Sequence, residues 1–474
     1  MKIPVRQFIA QLLPLTPQPI YLVGGSVRDL LLGNQDMKDI DLMMPSGSED
    51  VARPFADRIG GSFFFLDEER RITRVVKHEA GETIQFDFTN FEGPDLNTDL
   101  NRRDFTMNAM ALDLREFAKT GSLDGLVDLF GGREDVRGKR IRVTNPKVLD
   151  DDPLRLLRAI RFSATLGFGI ETNTADQIRQ RAELIAQPSA ERLRDEFFQI
   201  FSCSGAEKNL LLMDSLGLLQ RLVPELDSLA GFAPGQYHQY DVRTHSIKAA
   251  GYVDSVLDDL PRICPEYAAR VLEHLEEPLE QFVPRKAALR FACLMHDIAK
   301  RVTFSQNEEG RIHFYGHENL GADMVKETCR RLRLSRDTEN TVVKLIKHHM
   351  RLFHLSTPAG MSKRAMYRYC RELGAGLPES LILAQSDARA TYDIMPREKF
   401  TDTEKSLSVV LEYYYERFLK TEARPLVTGR DLIERGFKPG PKFREILDEI
   451  KERQAGGSLG DRREALDYLD TLRG

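Results

Sequence analysis

The stretch Leu22-Val23-Gly24-Gly25-Ser26-Val27-Arg28-Asp29-Leu30-Leu31-Leu32-Gly33, followed by Asp39-Ile40-Asp41-Leu42, decides the fold of the N-terminal part of the chain. Its apolar start predicts a strand that runs into the Gly24-Gly25 turn, with a helix beginning near Ser26. Two glycines let backbone N–H groups approach a phosphate, and a helix N-terminus favours its negative charge. Arg28, one turn in, is placed to reach the same phosphates. Asp39 and Asp41 stand two apart on a predicted strand, so both carboxylates project from one face. Such a pair suits Mg²⁺ that is also held by triphosphate oxygens. Two ions so placed activate an attacking 3′-hydroxyl and stabilise the departing pyrophosphate. Taken alone, Asp-x-Asp is also the solvated acidic face of an edge strand; the glycine turn before it tips the reading to a metal site. Asp87, in Phe86-Asp87-Phe88, is either a third carboxylate of that site or a structural acid.

Working outward, short β-like runs at Ile20 to Val23, Asp39 to Met44 and Thr83 to Phe88 predict a small α/β head over residues 1–145. From about 150 the periodicity becomes helical. The expected fold class is therefore α+β: the α/β head, then all-α parts at 146–230 (a neck), 231–400 (a histidine-bearing domain) and 401–474 (a tail). Gly231 to Tyr240, rich in Gly, Gln and Tyr, is the expected joint before the third part. The 474 residues carry a net charge of −5, which argues against a protein that coats nucleic acid but not against a local basic face. No apolar run approaches membrane-spanning length, so no membrane partner is expected. The N-terminus has no signal-peptide pattern, and the five scattered cysteines read as reduced thiols, so a cytoplasmic location is expected. No motif bears on oligomeric state.

Two further segments carry chemistry: Asn101-Arg102-Arg103-Asp104-Phe105-Thr106-Met107-Asn108 and Asp151-Asp152-Pro153-Leu154-Arg155. Asp before Pro at a helix start is ordinary capping. Asp152 and Arg155, three apart, are also expected on one side of the helix. A carboxylate accepts from the exocyclic amine of cytosine or adenine while a guanidinium donates to the ring nitrogen. Guanine and uracil reverse that pattern and leave both groups unpaired, at ~1–3 kcal/mol each. Capping and base reading both remain open on pattern alone. Arg155, Arg158 and Arg161 form a stripe suited to phosphate.

His245, His296-Asp297, His317, His348-His349 and Asp387 hold five of the chain's ten histidines. His296-Asp297 follows the apolar run Phe291 to Met295, so a buried charge is expected there, and a metal is its simplest partner. Imidazole with carboxylate suits Mn²⁺, Fe²⁺, Ni²⁺ or Zn²⁺ rather than Mg²⁺ alone. The other reading is a helical RNA-binding body that keeps a relic of the pattern.

Together, GGSVRDLLLG with DID (Gly24 to Asp41), RRDFTMNA (Arg102 to Ala109), DLFGGREDVRGKRIR (Asp128 to Arg142) and DDPLRLLRAIRF (Asp151 to Phe162) resemble the class II tRNA nucleotidyltransferase and bacterial poly(A) polymerase family. The resemblance covers residues ~20 to ~225, and LVTGRDLIERGFKPGPKF (Leu426 to Phe443) is similar to the tail of many members. It implies catalytic metals on Asp39 and Asp41. It implies that Arg102, Arg103, Asp104 and Asn108 orient the nucleotide, and that Asp152 and Arg155 act as the amino-acid template. Asp151 departs from the family's usual Glu. The order His … His-Asp … His … His … Asp resembles the HD phosphohydrolases. That resemblance implies His245, His296, Asp297 and Asp387 as core ligands, with His317 and His348 or His349 completing a second metal site. Phosphomonoesters or 2′,3′-cyclic phosphates at RNA ends are the implied substrates.

The expected function is addition of C and A to the tRNA 3′ end from CTP and ATP. CC-only, A-only and poly(A) addition share the same head motifs, and a different class of reading makes the HD domain the working phosphohydrolase. The charged segment Leu66 to Thr83 is the expected mobile loop for switching between C and A. Gly436 to Phe443 is an expected turn between two helices, either a phosphate grip or a packing element.

Overall fold

The computed structural model describes residues 5–34, 37–79, 81–232, 240–355, 361–392 and 401–472. Most of the expected joint at Gly231 to Tyr240 thus lies outside the described residues. The chain forms two compact units, Met1–Pro188 and Ser189–Gly474. The first is α/β with short helices and the second is largely helical, as the α+β reading expects.

The first unit is built on a seven-stranded sheet: β1 (Tyr21–Val23), β2 (Asp39–Met44), β3 (Ser62–Asp67), β4 (Ile72–Glu79), β5 (Glu82–Asn90), β6 (Met110–Asp113) and β7 (Leu126–Asp128). The spatial order is β3-β4-β5-β2-β1-β6-β7. β2 and β5 pair parallel, while the other neighbours are antiparallel. In β5, Ile84, Phe86 and Phe88 point into the core and Gln85 and Asp87 point away, the period of two expected of a half-buried strand. Phe86 meets Phe8 and Phe55 edge to face, and Phe88 meets Phe55. Each fully buried ring contributes roughly 1.5–3 kcal/mol. The opposite face of β2 and β5 is left for chemistry.

The expected loop from Leu66 to Thr83 is mostly β-structure. Residues 72–79 form β4, which pairs with β3 and β5, and Glu68 to Arg71 make the turn before it. The charged run misled because Arg70 and Asp67 close that turn while Thr73 and Val75 bury beside it.

The Asp128 to Arg142 motif is structural. Asp128 accepts from the N–H groups of Gly132 and Arg133 (2.7 and 2.9 Å). Buried Asp135 accepts from Thr106 Oγ1 (2.7 Å), Arg140 Nε (3.1 Å) and Arg142 Nε (2.8 Å). A Cβ on Gly132 would lie 2.1 Å from the Thr106 carbonyl oxygen, so only glycine lets the two backbones meet. The motif thereby fixes the Arg102 to Asn108 segment.

The next long helix spans Arg155–Leu166 and buries Leu156, Leu157, Ala159 and Ile160. It begins later than expected. Asp152 is extended (φ −145°, ψ 95°), so Asp152 and Arg155 do not share a helical face. Pro153 disfavours helical backbone at the residue before it, which accounts for the break.

In the second unit, the helix Arg285–Met295 is buried from Ala287 onward. It packs among the helices Val242–Ile263, Arg336–His348 and Leu377–Thr391. The last of these is buried from Leu377 to Ala390. The C-terminal part has its own small core of Val427, Leu432, Ile450, Ala465 and Leu469. There the expected turn from Gly436 to Phe443 joins the helices Gly429–Glu434 and Pro441–Gly456. Among the described residues no helix is long and apolar enough to cross a membrane, and the five cysteines are free.

Candidate functional site

Two sites arise, one in each unit. In the first, Gly24 adopts φ +64°, and a Cβ there would stand 3.3 Å from Asp41 Oδ2 and 3.2 Å from Arg103 Nη1. Glycine thus brings the turn down onto the carboxylate. Ser26 pins the turn to β2: its Oγ donates to the Asp39 carbonyl (3.2 Å) and accepts from the Asp41 N–H (2.9 Å). Across the sheet, Asp41 stands opposite Asp87, and Asp87 opposite Arg74. Arg74 donates to both Asp87 oxygens (2.6 and 2.7 Å). Asp87 therefore belongs to the acidic row and is shared with a guanidinium. Burial, then the neighbouring charges of Asp87 and Asp39, push the Asp41 carboxyl up to about 6 against the pull of Arg103 and Arg28. A carboxylate held at that cost is one that gains most from a divalent cation.

Arg28 is buried and donates to Asn108 Oδ1 (2.9 Å). Asn108 Nδ2 donates to Asp104 Oδ1 (3.2 Å), and Arg158 grips Asp104 Oδ2 through Nε and Nη2 (3.0 and 2.8 Å). Burial raises the Asp104 carboxyl, but the Arg158 charge and these hydrogen bonds hold it below the usual carboxylate range. Asp104 and Asn108 thus hold Arg28 and Arg158 in place. The guanidinium carbons of Arg28, Arg158 and Arg161 lie 5.6, 5.3 and 4.3 Å from the Phe162 ring centre.

Beside the carboxylates a cleft of ≈ 380 Å³ is lined by Arg70, Asn90, Asp99, Arg102, Arg103 and Arg155, among others. Asp99 fixes Arg103 (Nε to Oδ1, 3.1 Å), and Arg155 Nη1 donates to the Val148 carbonyl (3.1 Å). Asp152 is not among the lining residues; its Oδ1 accepts from the Leu154 N–H (3.2 Å), the capping alternative.

In the second unit, His245 Nε2 lies 3.0 Å from Asp387 Oδ1 and 3.7 Å from Asp297 Oδ2. His296 Nε2 lies 3.1 Å from Asp297 Oδ2 and 3.7 Å from Asp387 Oδ1. On the other side of Asp297, its Oδ1 is 3.6 Å from His317 Nε2 and 3.9 Å from His349 Nε2. Two candidate metal groups follow, His245-His296-Asp297 and Asp297-His317-His349, sharing Asp297. The three backbone carbonyls of Cys293, Phe314 and Ile346 accept from Nδ1 of His296, His317 and His349, which aims each Nε2 inward. His296 Nε2 and both Asp297 oxygens are buried without a well-aligned hydrogen bond, as a metal-ligand set requires.

His348 does not join them. It pairs with Glu372 at 3.6 Å, because consecutive residues at a helix end point about 100° apart. Without a metal, charge inside the cluster balances itself. Burial works to lower His296, but Asp297 and Asp387 push it up to about 10. Burial raises Asp297, yet His296 and Lys300 hold it well below the usual range. Burial and the charge of His296 take His349 down to about 3.

Three contributors escaped the sequence reading: Arg74, Asp99 and Lys300, whose Nζ is 2.6 Å from Asp297 Oδ2. Lys300 stands three after Asp297, and Asp99 four before Arg103, so helical spacing carried a signal for these two. Arg74 carried none; only the register across β4 and β5 reveals it.

Comparison with known proteins matches three family models in order: the poly A polymerase head domain at 20–142, the probable RNA and SrmB-binding site of polymerase A at 167–229, and the HD domain at 243–388. The A-adding tRNA nucleotidyltransferase of Deinococcus radiodurans is 33% identical over 96% of this chain and 96% of its own. The CC-adding tRNA nucleotidyltransferase of Thermus thermophilus is 31% identical over 97% of this chain and 95% of its own. The Bacillus stearothermophilus CCA-adding enzyme in complex with CTP has a similar fold, with a TM-score of 0.64 at 23% identity over 100% of this chain and 98% of that one. With a relative above 30% identity along nearly its whole length, and with the poly A polymerase head and HD domains in the same order, this chain belongs to the tRNA nucleotidyltransferase family of enzymes.

Proposed function

We propose that the chain adds C and A to the 3′ end of tRNA from CTP and ATP, completing CCA without a nucleic-acid template. The observation that carries this is the carboxylate row of Asp39, Asp41 and Asp87 beneath the Gly24 turn, beside a cleft lined by Arg102, Arg103 and Arg155. Asp39 and Asp41 would hold Mg²⁺, which supplies charge neutralisation at the triphosphate and an acidified 3′-hydroxyl. Arg28, held through Asn108, would position phosphate at the turn, and Arg102 and Arg103 the ribose and phosphates. Arg158 and Arg161 frame the same region. For base selection, Arg155 would donate to the ring nitrogen of C or A. Asp152 would accept from the amine after leaving its contact with Leu154. We keep the division into a head (1–145), neck (146–230), HD domain (231–400) and tail (401–474) as part of this reading.

The HD cluster would hold Mn²⁺, Fe²⁺, Ni²⁺ or Zn²⁺ on His245, His296, Asp297 and Asp387, with a second ion on Asp297, His317 and His349. It would hydrolyse phosphates at RNA ends, so that one protein trims and then extends. A second reading of the transfer step is favoured by relatives that match along nearly the whole chain and are named A-adding or CC-adding: only part of CCA is added here.

The test is incubation with Mg²⁺ and tRNAs ending before CCA, after C and after CC, with CTP, ATP or both. Stepwise extension that stops at CCA supports the first reading, and extension of a single intermediate supports the second. Long A tails on any RNA would make the activity poly(A) addition, and no incorporation would leave only the HD cluster as a working site.

A further inference from the structure

A short hairpin lies between two ligands of the HD cluster. Ser305–Gln306 pairs antiparallel with Ile312–His313, and the chain then passes through Phe314, Tyr315 and Gly316 to His317. Phe314 is half-buried, with its ring centre 6.2 Å from Phe232 and 6.1 Å from Phe304. Lys300 Nζ stands 5.7 Å from that ring while contacting Asp297 at 2.6 Å. The Phe314 carbonyl accepts from His317 Nδ1 at 2.8 Å. The hairpin base is therefore tied to the cluster through both Asp297 and His317.

Tyr315 does the opposite. It is 77% exposed, more than any other large apolar or aromatic side chain described. Its ring lies parallel to that of His313, with centres 4.8 Å apart and planes at 10°. A structural tyrosine would tuck its ring against the protein. Here an exposed tyrosine ring stacks on a half-buried histidine at the surface, a pair of rings of the kind that accepts a nucleobase. Only Gly316 separates Tyr315 from His317, so two backbone steps span at most ~7 Å, similar to the reach from the phosphate of a nucleotide to its base. The acidic residues Glu308 and Glu309 sit at the far turn of the hairpin, away from this end.

We propose that the Tyr315–His313 pair is the base-stacking subsite of the HD cluster, which makes its ligand a terminal nucleotide carrying a phosphate rather than a bare phosphomonoester. This rests on the HD cluster binding metal. Stacking would be sequence-tolerant, since every base presents a π-face, as a site serving varied RNA ends needs.

The test uses the full chain carrying Asp39→Ala and Asp41→Ala, so that the head does not hold metal. The Mn²⁺-loaded protein is titrated with 2-aminopurine riboside 3′-monophosphate, whose fluorescence is quenched on stacking, and with inorganic phosphate as competitor. The preference for the nucleotide over phosphate should fall about 10- to 100-fold in Tyr315→Ala, from ~1–3 kcal/mol per stacked base. Tyr315→Phe, which keeps the ring, should retain preference and quench. Asp297→Ala in the same background separates the two ideas. If Asp297→Ala weakens the nucleotide but Tyr315→Ala leaves the preference unchanged, the platform is wrong and the metal reading survives. If Tyr315→Ala abolishes the quench while Asp297→Ala changes nothing, the platform stands and the metal anchor falls. Absence of nucleotide binding to the parent protein would overturn the proposal.

Discussion

The carboxylates of the head sheet and the histidine–aspartate cluster of the second unit both hold negative charge at close range, and they balance it differently. In the head, Asp39 is exposed, Asp41 is pushed up to about 6, and the nearest full neutralisation is the Arg74 clamp on Asp87. That row of carboxylates is offset only in part, by Arg74 on Asp87 and by Arg103 and Arg28 near Asp41, an arrangement that suits a hard cation. In the HD cluster every ligand described is buried, His296 is pushed up to about 10, and Lys300 lies against Asp297. That site holds its own counter-charges within the cluster. The difference is one of charge balance: the head carboxylates rely on arginines from neighbouring elements, whereas the buried cluster carries its counter-charges within itself.

The largest expected effect breaks the two sites apart. Asp297→Ala should remove bound transition metal from the purified chain, read by elemental analysis, and leave tRNA extension within about twofold, because Asp297 belongs to the second unit alone. His349→Ala should lose the second ion, whereas His348→Ala should keep both, since His348 faces Glu372. Equal loss in both histidine variants would refute the two-group arrangement.

Base selection sharpens the head side. Arg155→Ala is expected to lower the preference for CTP and ATP over GTP and UTP by about 10- to 100-fold, the worth of one buried polar partner. Misincorporation on a tRNA ending in CC measures it.

Acid separates the sites by about tenfold. With Asp41 titrating near 6, roughly one-tenth of it is ionised at pH 5 against nine-tenths at pH 7. Incorporation at limiting Mg²⁺ should fall about tenfold over that range, and saturating Mg²⁺ should restore it. No rescue by Mg²⁺ would place the titration elsewhere.

The smallest effect concerns stability. A folded His296 titrating near 10 against 6.5 unfolded stabilises the metal-free protein fully below pH 6.5. That contribution is lost as pH rises toward 10. Chelator-treated protein should therefore melt at lower temperature at pH 9.5 than at pH 6.5, and metal-loaded protein should lose less over the same change.

Much of this was legible in the chain itself. The glycine turn and the Asp39/Asp41 spacing are legible from residue types and order, and the resemblance to HD phosphohydrolases points to the residues that the structure brings together as the histidine–aspartate cluster. His348 and His349 were inseparable until the helix end was seen, as adjacent residues differ only in direction. Helical spacing puts Asp152 and Arg155 on one face, but Pro153 delays the helix and leaves Asp152 extended. The charges of Leu66 to Thr83 suggest a loop, although Thr73 and Val75 bury on the sheet. Arg74 was invisible because its role comes from register between strands separated by a turn. What was missed is what long-range pairing decides.

The most direct measurement is single-turnover incorporation of labelled AMP and CMP onto tRNAs ending before CCA, after C and after CC, by the parent chain and by Asp39→Ala plus Asp41→Ala. The double variant should still bind its HD metal, which shows that it is folded. The expected result is incorporation by the parent and a loss of more than about 10³-fold in the double variant. Incorporation by the double variant within tenfold of the parent would contradict nucleotidyl transfer at this carboxylate row.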